Sequence, residues 1–198
     1  MAVDYQQLRQ HLRRFYDFAG KTVLFVGAGG KQLLDPAVPA RKLIAIDRNL
    51  ESLAELKTDI AARGLSGSVE VIASSIEEVR ISGDVVYFEF CLHEIADPER
   101  ALAHARTLAA DIVVFDHLPD SEWSFYAAED EVVRRATLAM ERCGFRRRET
   151  YSAMQRFKDY SELQAKLAGQ GALAIARAEK FRGANDIAIP MNYQLALL

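Results

Sequence analysis

The chain has 198 residues, half of them hydrophobic, enough to bury one substantial core and too few for two full domains. Its 25 basic residues stand against 28 acidic ones, a net charge of −3 that gives no pull toward nucleic acid or an anionic membrane. Two cysteines, Cys91 and Cys143, neither in a C-x-x-C pair, argue against a zinc ribbon or a disulfide framework and fit a cytoplasmic setting.

Residues 1–19 read as an N-terminal amphipathic helix. Leu8, Leu12, Phe15 and Ala19 recur at helical spacing, Asp4 and Gln7 can form a capping box, and Gly20 can end it. The segment lacks the continuous apolar core of a secretory leader, and no apolar run approaches the roughly 18 residues of a membrane span. Residues 22–26 form a short buried strand closing on Gly27, and 42–47 (KLIAID) a second one. A helix follows with Leu50, Leu53, Leu56 and Ile60 on one face and Gly64 as its stop. Val69 to Ala73 and Asp84 to Phe90 are the third and fourth strands. Asp97-Pro98-Glu99 starts a helix carrying Leu102, Ala105 and Leu108: the carboxylate caps, proline suits the first turn and glutamate complements the dipole. Asp111 to Asp116 is the fifth strand, and a helix over 128–142 ends at Gly144. A strand begins at Phe145, and the run Arg146-Arg147-Arg148 reads as its solvated end. Residues 159–180 are mainly helical, a possible insertion or lid, and Ile187 to Leu198 is extended, with Pro190 near that strand's start or at a sheet edge. Strands alternate with helices and most are continuously apolar, the pattern of an α/β domain with a parallel sheet covered on both faces.

The strongest local signal is Val23-Leu24-Phe25-Val26-Gly27-Ala28-Gly29-Gly30-Lys31. Gly27 lets the chain turn tightly off the strand, and Gly29 lets backbone approach a ligand. Asp47 ends the next strand, where a carboxylate can accept hydrogen bonds from ribose hydroxyls. Gln32 stands where a dinucleotide site has its third glycine, and there is no Tyr-x-x-x-Lys pair and no G-x-x-x-x-G-K-[ST] loop. An NAD(P)-dependent oxidoreductase is therefore the weaker alternative.

In its order of motifs the chain resembles the class I S-adenosylmethionine-dependent methyltransferases. VLFVGAGG (23–30), LIAID (43–47) and DVVYFEFCLHEIADPERAL (84–102) carry the resemblance, which spans residues 20–150. It implies a single domain over 1–198 with a Rossmann-like three-layer sandwich, a mostly parallel central sheet and an antiparallel C-terminal strand. It also implies S-adenosyl-L-methionine as cofactor, bound by Gly27, Ala28, Gly29, Asp47, Arg48, Ser75, Ile76, Glu89 and Phe90. Phe25, Lys31 and the Ser74-Ser75-Ile76 stretch depart from the family's usual residues. Those departures leave open a protein that binds the cofactor without transferring its methyl group. Ser75 can meet the adenine edge, Ile76 its face, and Lys31 the cofactor carboxylate.

Methyl transfer from a sulfonium is an in-line displacement, so an enzyme mainly positions the acceptor and excludes water. A base is needed only where the acceptor loses a proton. The candidates are Glu89, which can also meet the cofactor ammonium, His93, and His117 with Asp116 or Asp120 orienting it. Tyr16, Trp123, Phe125 and Tyr126 can line an acceptor pocket or serve ordinary packing. No metal-binding spacing is present. The absence of an Asn-Pro-Pro-Tyr turn and the acidic balance favour a small-molecule acceptor over nucleic acid, with the protein a monomer or homodimer.

Overall fold

The computed structural model describes residues 5–28, 34 and 40–198. In chain order its elements are α1 (Tyr5–Phe15), β1 (Thr22–Val26), β2 (Lys42–Asp47), α2 (Leu50–Ala62), β3 (Val69–Ala73), β4 (Val85–Glu89) and α3 (Pro98–Leu108). There follow β5 (Asp111–His117), α4 (Glu122–Tyr126), α5 (Asp130–Cys143), β6 (Arg147–Asp159), α6 (Tyr160–Leu167), α7 (Ala172–Ala178) and β7 (Asn185–Leu197). Among the described residues the strands form one seven-stranded sheet in the order β3-β2-β1-β4-β5-β7-β6. β1 to β5 run parallel, and β7 lies antiparallel between β5 and β6. This is the Rossmann-like, mostly parallel architecture that the strand–helix alternation implies.

Alternation along each strand sends side chains to two cores. Val23, Phe25, Val85, Tyr87, Val113 and Phe115 face α1, α2 and the α4–α6–α7 group. Leu24, Val26, Val86, Phe88, Ile112 and Val114 face α3 and α5. Caps fix the helix starts: Asn49 accepts from the backbone of Glu51 and Ser52, and Asp97 accepts from Arg100 N ahead of Pro98. The expected capping box at Asp4 falls outside the described residues.

β5 stops pairing with β7 at His117↔Tyr193, whereas β6 and β7 continue to Asp159↔Asn185. The pair thus runs on as a two-stranded ribbon roughly 25 Å past the parallel strands, at about 3.3 Å per residue. Pro190 lies in this ribbon, where β7 has a strand on one side only, the setting that tolerates a missing N–H. The arginine run is exposed at the strand end, as expected, and is paired there as well. Arg146 binds Asp111 and the Leu198 carbonyl, Arg147 binds Glu149 and the Phe15 carbonyl, and Arg148 covers the Phe145 ring. Among the described residues no helix is long and apolar enough to cross a membrane.

Candidate active site

β1 ends in Gly27, whose φ of +71° suits glycine. Its N–H donates to the Ile46 carbonyl at 3.2 Å. A Cβ here would stand 2.5 Å from both Cβ and Sγ of Cys91 and 2.9 Å from the Glu89 carbonyl oxygen. The turn leaving β4 therefore closes directly on the turn leaving β1, and Cys91 Sγ completes the contact by donating to the Val26 carbonyl at 3.3 Å.

These two turns and the ends of β2 and β3 enclose a crevice of about 580 Å³, counting its open mouth. Gly27, Asp47, Arg48, Ser75 and Ile76 line it on one side; Cys91, Glu94, Ile95 and Ala96 line it on the other. It lies at the carboxyl ends of the parallel strands, where open α/β sheets bind ligands. The Asp47 carboxylate accepts from Asn49 N at 2.9 Å, which fixes it at the strand end. A carboxylate for a diol, a hydroxyl at Ser75 and apolar walls at Ile46, Ile76 and Ile95 make a donor set that fits a nucleoside. Ala28 is fully buried behind the turn, and Gly29 and Lys31 lie outside the described residues.

At the end of β4, Glu89 is buried on the same sheet face as Tyr87 rather than pointing outward. Phe90 leaves the strand at φ +46°, a rare conformation for an aromatic residue, held by its N–H donating to the Phe115 carbonyl at 2.7 Å. Its ring packs against Phe115 and His117, with centroids 4.5 and 4.8 Å away.

His93 stands on a 3-10 turn, Leu92–Glu94, just beyond Cys91. Its Nδ1 donates to Asp116 Oδ1 at 2.5 Å and its backbone N–H to Asp116 Oδ2 at 3.1 Å. Nε2 lies 3.9 Å from Glu129. Burial alone would lower the His93 pKa, but the Asp116 charge and hydrogen bond, with Glu129 and Glu94 behind them, push it up to about 9. Burial would raise the Asp116 pKa, but His93 and the His117 N–H hold it below the usual carboxylate value. The ring therefore carries its proton at neutral pH, which suits His93 to orienting by hydrogen-bond donation, the second of the roles open to it beside that of a base.

Of the two partners expected for the His117 ring, Asp116 or Asp120, Asp116 reaches His117 only at the backbone, and its side chain serves His93. The His117 ring, 5.5 Å from that of His93, has no described partner for Nδ1. Burial, then the His93 charge, bring its pKa down to about 4 against the pull of Asp116, so this ring is neutral.

The two histidines act on stability in opposite directions. His93, raised, contributes stability that is complete below its unfolded value of 6.5 and is lost as pH rises to about 9. His117, lowered, contributes stability present above 6.5 and lost as pH falls to about 4. Thermal melts should peak near pH 6.5, and His117→Gln should flatten the acid limb while leaving the alkaline one.

The aromatic candidates are not gathered at the crevice. Tyr16 donates to Asp111 at the amino end of β5, the opposite end of the sheet. Trp123 stacks on Phe157 of the ribbon, Tyr126 meets Phe181 edge-on, and Phe125 lies under Arg177. Sequence reasoning missed Cys91 and Glu94 as crevice walls, although both stand on the turn that leaves β4. It also missed Glu129, which no local pattern connects to His93.

Residues 24–111 match the family model described as a methyltransferase domain. No curated protein sequence matches the chain. Among solved structures, it is similar to an S-adenosylmethionine-dependent methyltransferase from Aquifex aeolicus, at 19% identity over 98% of this chain and 89% of that one, with a TM-score of 0.61. It is also similar to the YcgJ protein of Bacillus subtilis (13% identity, 97% and 96% covered, TM-score 0.69). A third is a precorrin 8w decarboxylase from Methanobacterium thermoautotrophicum (13%, 96% and 88% covered, TM-score 0.62). At these identities the structural likeness is one of fold. Residues 24–111 thus match a methyltransferase domain, and the chain as a whole shares the fold of these solved structures.

Proposed function

We propose that the chain methylates a small-molecule acceptor, holding its cofactor in the crevice between Gly27, Asp47 and Ser75. The observation that carries this reading is the convergence of Gly27, Asp47, Arg48, Ser75 and Ile76 on one hollow. The cofactor, when bound, supplies a methyl group already activated on a sulfonium. Asp47 accepts hydrogen bonds from the ribose, Ser75 meets the adenine edge, and Ile76 packs on its face. Ala28 continues the turn from Gly27 toward the methionine part, and the buried Glu89 carboxylate receives the ammonium.

The acceptor enters from the Phe90 and His117 side. The neutral His117 ring orients an acceptor hydroxyl or amine by hydrogen bonding, and is too weak a base to hold its proton at neutral pH. The net charge of −3 and the occupied Arg146–Arg148 run support a small acceptor over nucleic acid.

Calorimetry should give a dissociation constant in the micromolar range for S-adenosylmethionine and for its demethylated product, the usual scale for an enzyme and its ligand. Asp47→Ala should weaken both by more than about tenfold, the equivalent of about 1.4 kcal/mol in ribose contacts. An unchanged affinity in that variant contradicts the placement. Methylation of nucleic acid but of no member of a small-molecule panel contradicts the acceptor class.

A further inference from the structure

We propose that Asp116 is a positioning residue: through His93 it sets where the 91–96 turn stands against Gly27, and so the shape of the cofactor crevice. The inference rests on the reading that this crevice holds the cofactor.

Cys91, Glu94, Ile95 and Ala96 form one whole wall of the hollow. Within that turn the backbone bonds are local, Glu94 N–H to the Cys91 carbonyl and Ile95 N–H to the Leu92 carbonyl. Local bonds shape the turn but do not locate it on the sheet. Bonds to other elements do: Cys91 to the Val26 carbonyl, Arg135 of α5 to the Ile95 carbonyl, and Asp116 of β5, which grips His93 twice, at Nδ1 and at the backbone N–H. Its third bond, from His117 N–H, fixes the carboxylate itself. Asp116 is 1% exposed, so these bonds are made out of bulk solvent, where they are stronger. On the far side of the turn Cys91 is already in contact with the Gly27 backbone, so a shift of His93 passes directly to the glycine turn. The titratable groups facing His93 are Asp116 and His117 from β5, Glu129 ahead of α5, and Glu94 on its own turn. The carboxylates favour the protonated ring and His117 stays neutral, so the grip is a charged one up to about pH 9.

The test is Asp116→Asn, which keeps the shape and removes the charge. Cofactor dissociation constant and KM should rise on the order of tenfold with kcat within about threefold, the pattern of lost uniform binding. In the unaltered protein cofactor affinity should fall as pH rises through about 9, and in Asp116→Asn that fall should move to lower pH. Should Asp116→Asn fail to fold, His93→Asn and His93→Ala give the answer. Asparagine keeps a donor near the place of Nδ1 and should bind cofactor several-fold more tightly than alanine. Unchanged affinity in folded Asp116→Asn, a loss confined to kcat, or equal affinities in the two His93 variants overturns the inference. If Asp47→Ala weakens binding and these variants do not, this inference alone fails. If Asp47→Ala has no effect, the crevice reading itself fails, and this inference with it.

Discussion

Gly27→Ala is expected to remove measurable cofactor binding and to lower the melting temperature sharply. The added methyl would meet Cys91 Cβ and Sγ at 2.5 Å and the Glu89 carbonyl oxygen at 2.9 Å, distances that force the β1 and β4 turns apart. A positive φ adds about 1–2 kcal/mol of strain for any residue with a Cβ. Overpacking a closed site adds about 1–3 kcal/mol more. Cofactor affinity should fall by at least about a hundredfold, equivalent to about 2.8 kcal/mol. Combining Gly27→Ala with Cys91→Gly should recover part of both losses. The neighbour at 2.5 Å is then gone, whereas the Glu89 carbonyl and the backbone strain remain. Equal affinity in Gly27→Ala and the unaltered protein, by calorimetry, contradicts the account of this turn.

Asp116→Ala should cost about 3–5 kcal/mol of folding stability in urea melts, the range for removing one partner of a buried ion pair. The variant leaves three buried donors, His93 Nδ1 and the N–H groups of His93 and His117, without their acceptor. The loss depends on pH in a definite sense. Asp116 has a lowered pKa, so its contribution is present above the unfolded carboxyl value of 3.8 and disappears in acid. His93 has a raised pKa, so its contribution is complete below 6.5 and disappears toward pH 9. The difference between unaltered protein and variant should therefore be greatest between about pH 4 and 6.5 and shrink on both sides. Asp116→Ala together with His93→Leu should cost less than the sum of the single changes, because the unpaired charge is removed with its partner.

Much of the fold is legible because it is written locally. The spans of β2 and β3 are set by apolar runs bounded by charged or turn residues, and α3 starts where Asp97 and Pro98 say it should. The β6–β7 ribbon is less legible, because its length is set by pairing between strands about 40 residues apart along the chain. The short helix α4 depends on packing against β7 and α7 rather than on periodicity. The crevice side formed by Gly27, Asp47, Ser75 and Ile76 is visible because each residue stands at a strand's carboxyl end or within three residues of it. Asp116 as partner of the His117 ring fails for a reason the sequence does contain. Along β5 alternate side chains take opposite faces, so Asp116 and His117 diverge and cannot meet side chain to side chain. Asp116 turns to the α5 face and finds His93; His117 joins Phe115 and Phe90 on the other. That His93 also faces Glu129 is a tertiary fact, invisible to spacing along the chain.

The most direct measurement is a crystal structure with S-adenosylhomocysteine bound. The account predicts the ribose hydroxyls on the Asp47 carboxylate, the adenine between Ser75 and Ile76, and the sulfur lying toward Phe90. A nucleoside found away from Asp47, or outside the hollow between residues 27 and 91, contradicts it.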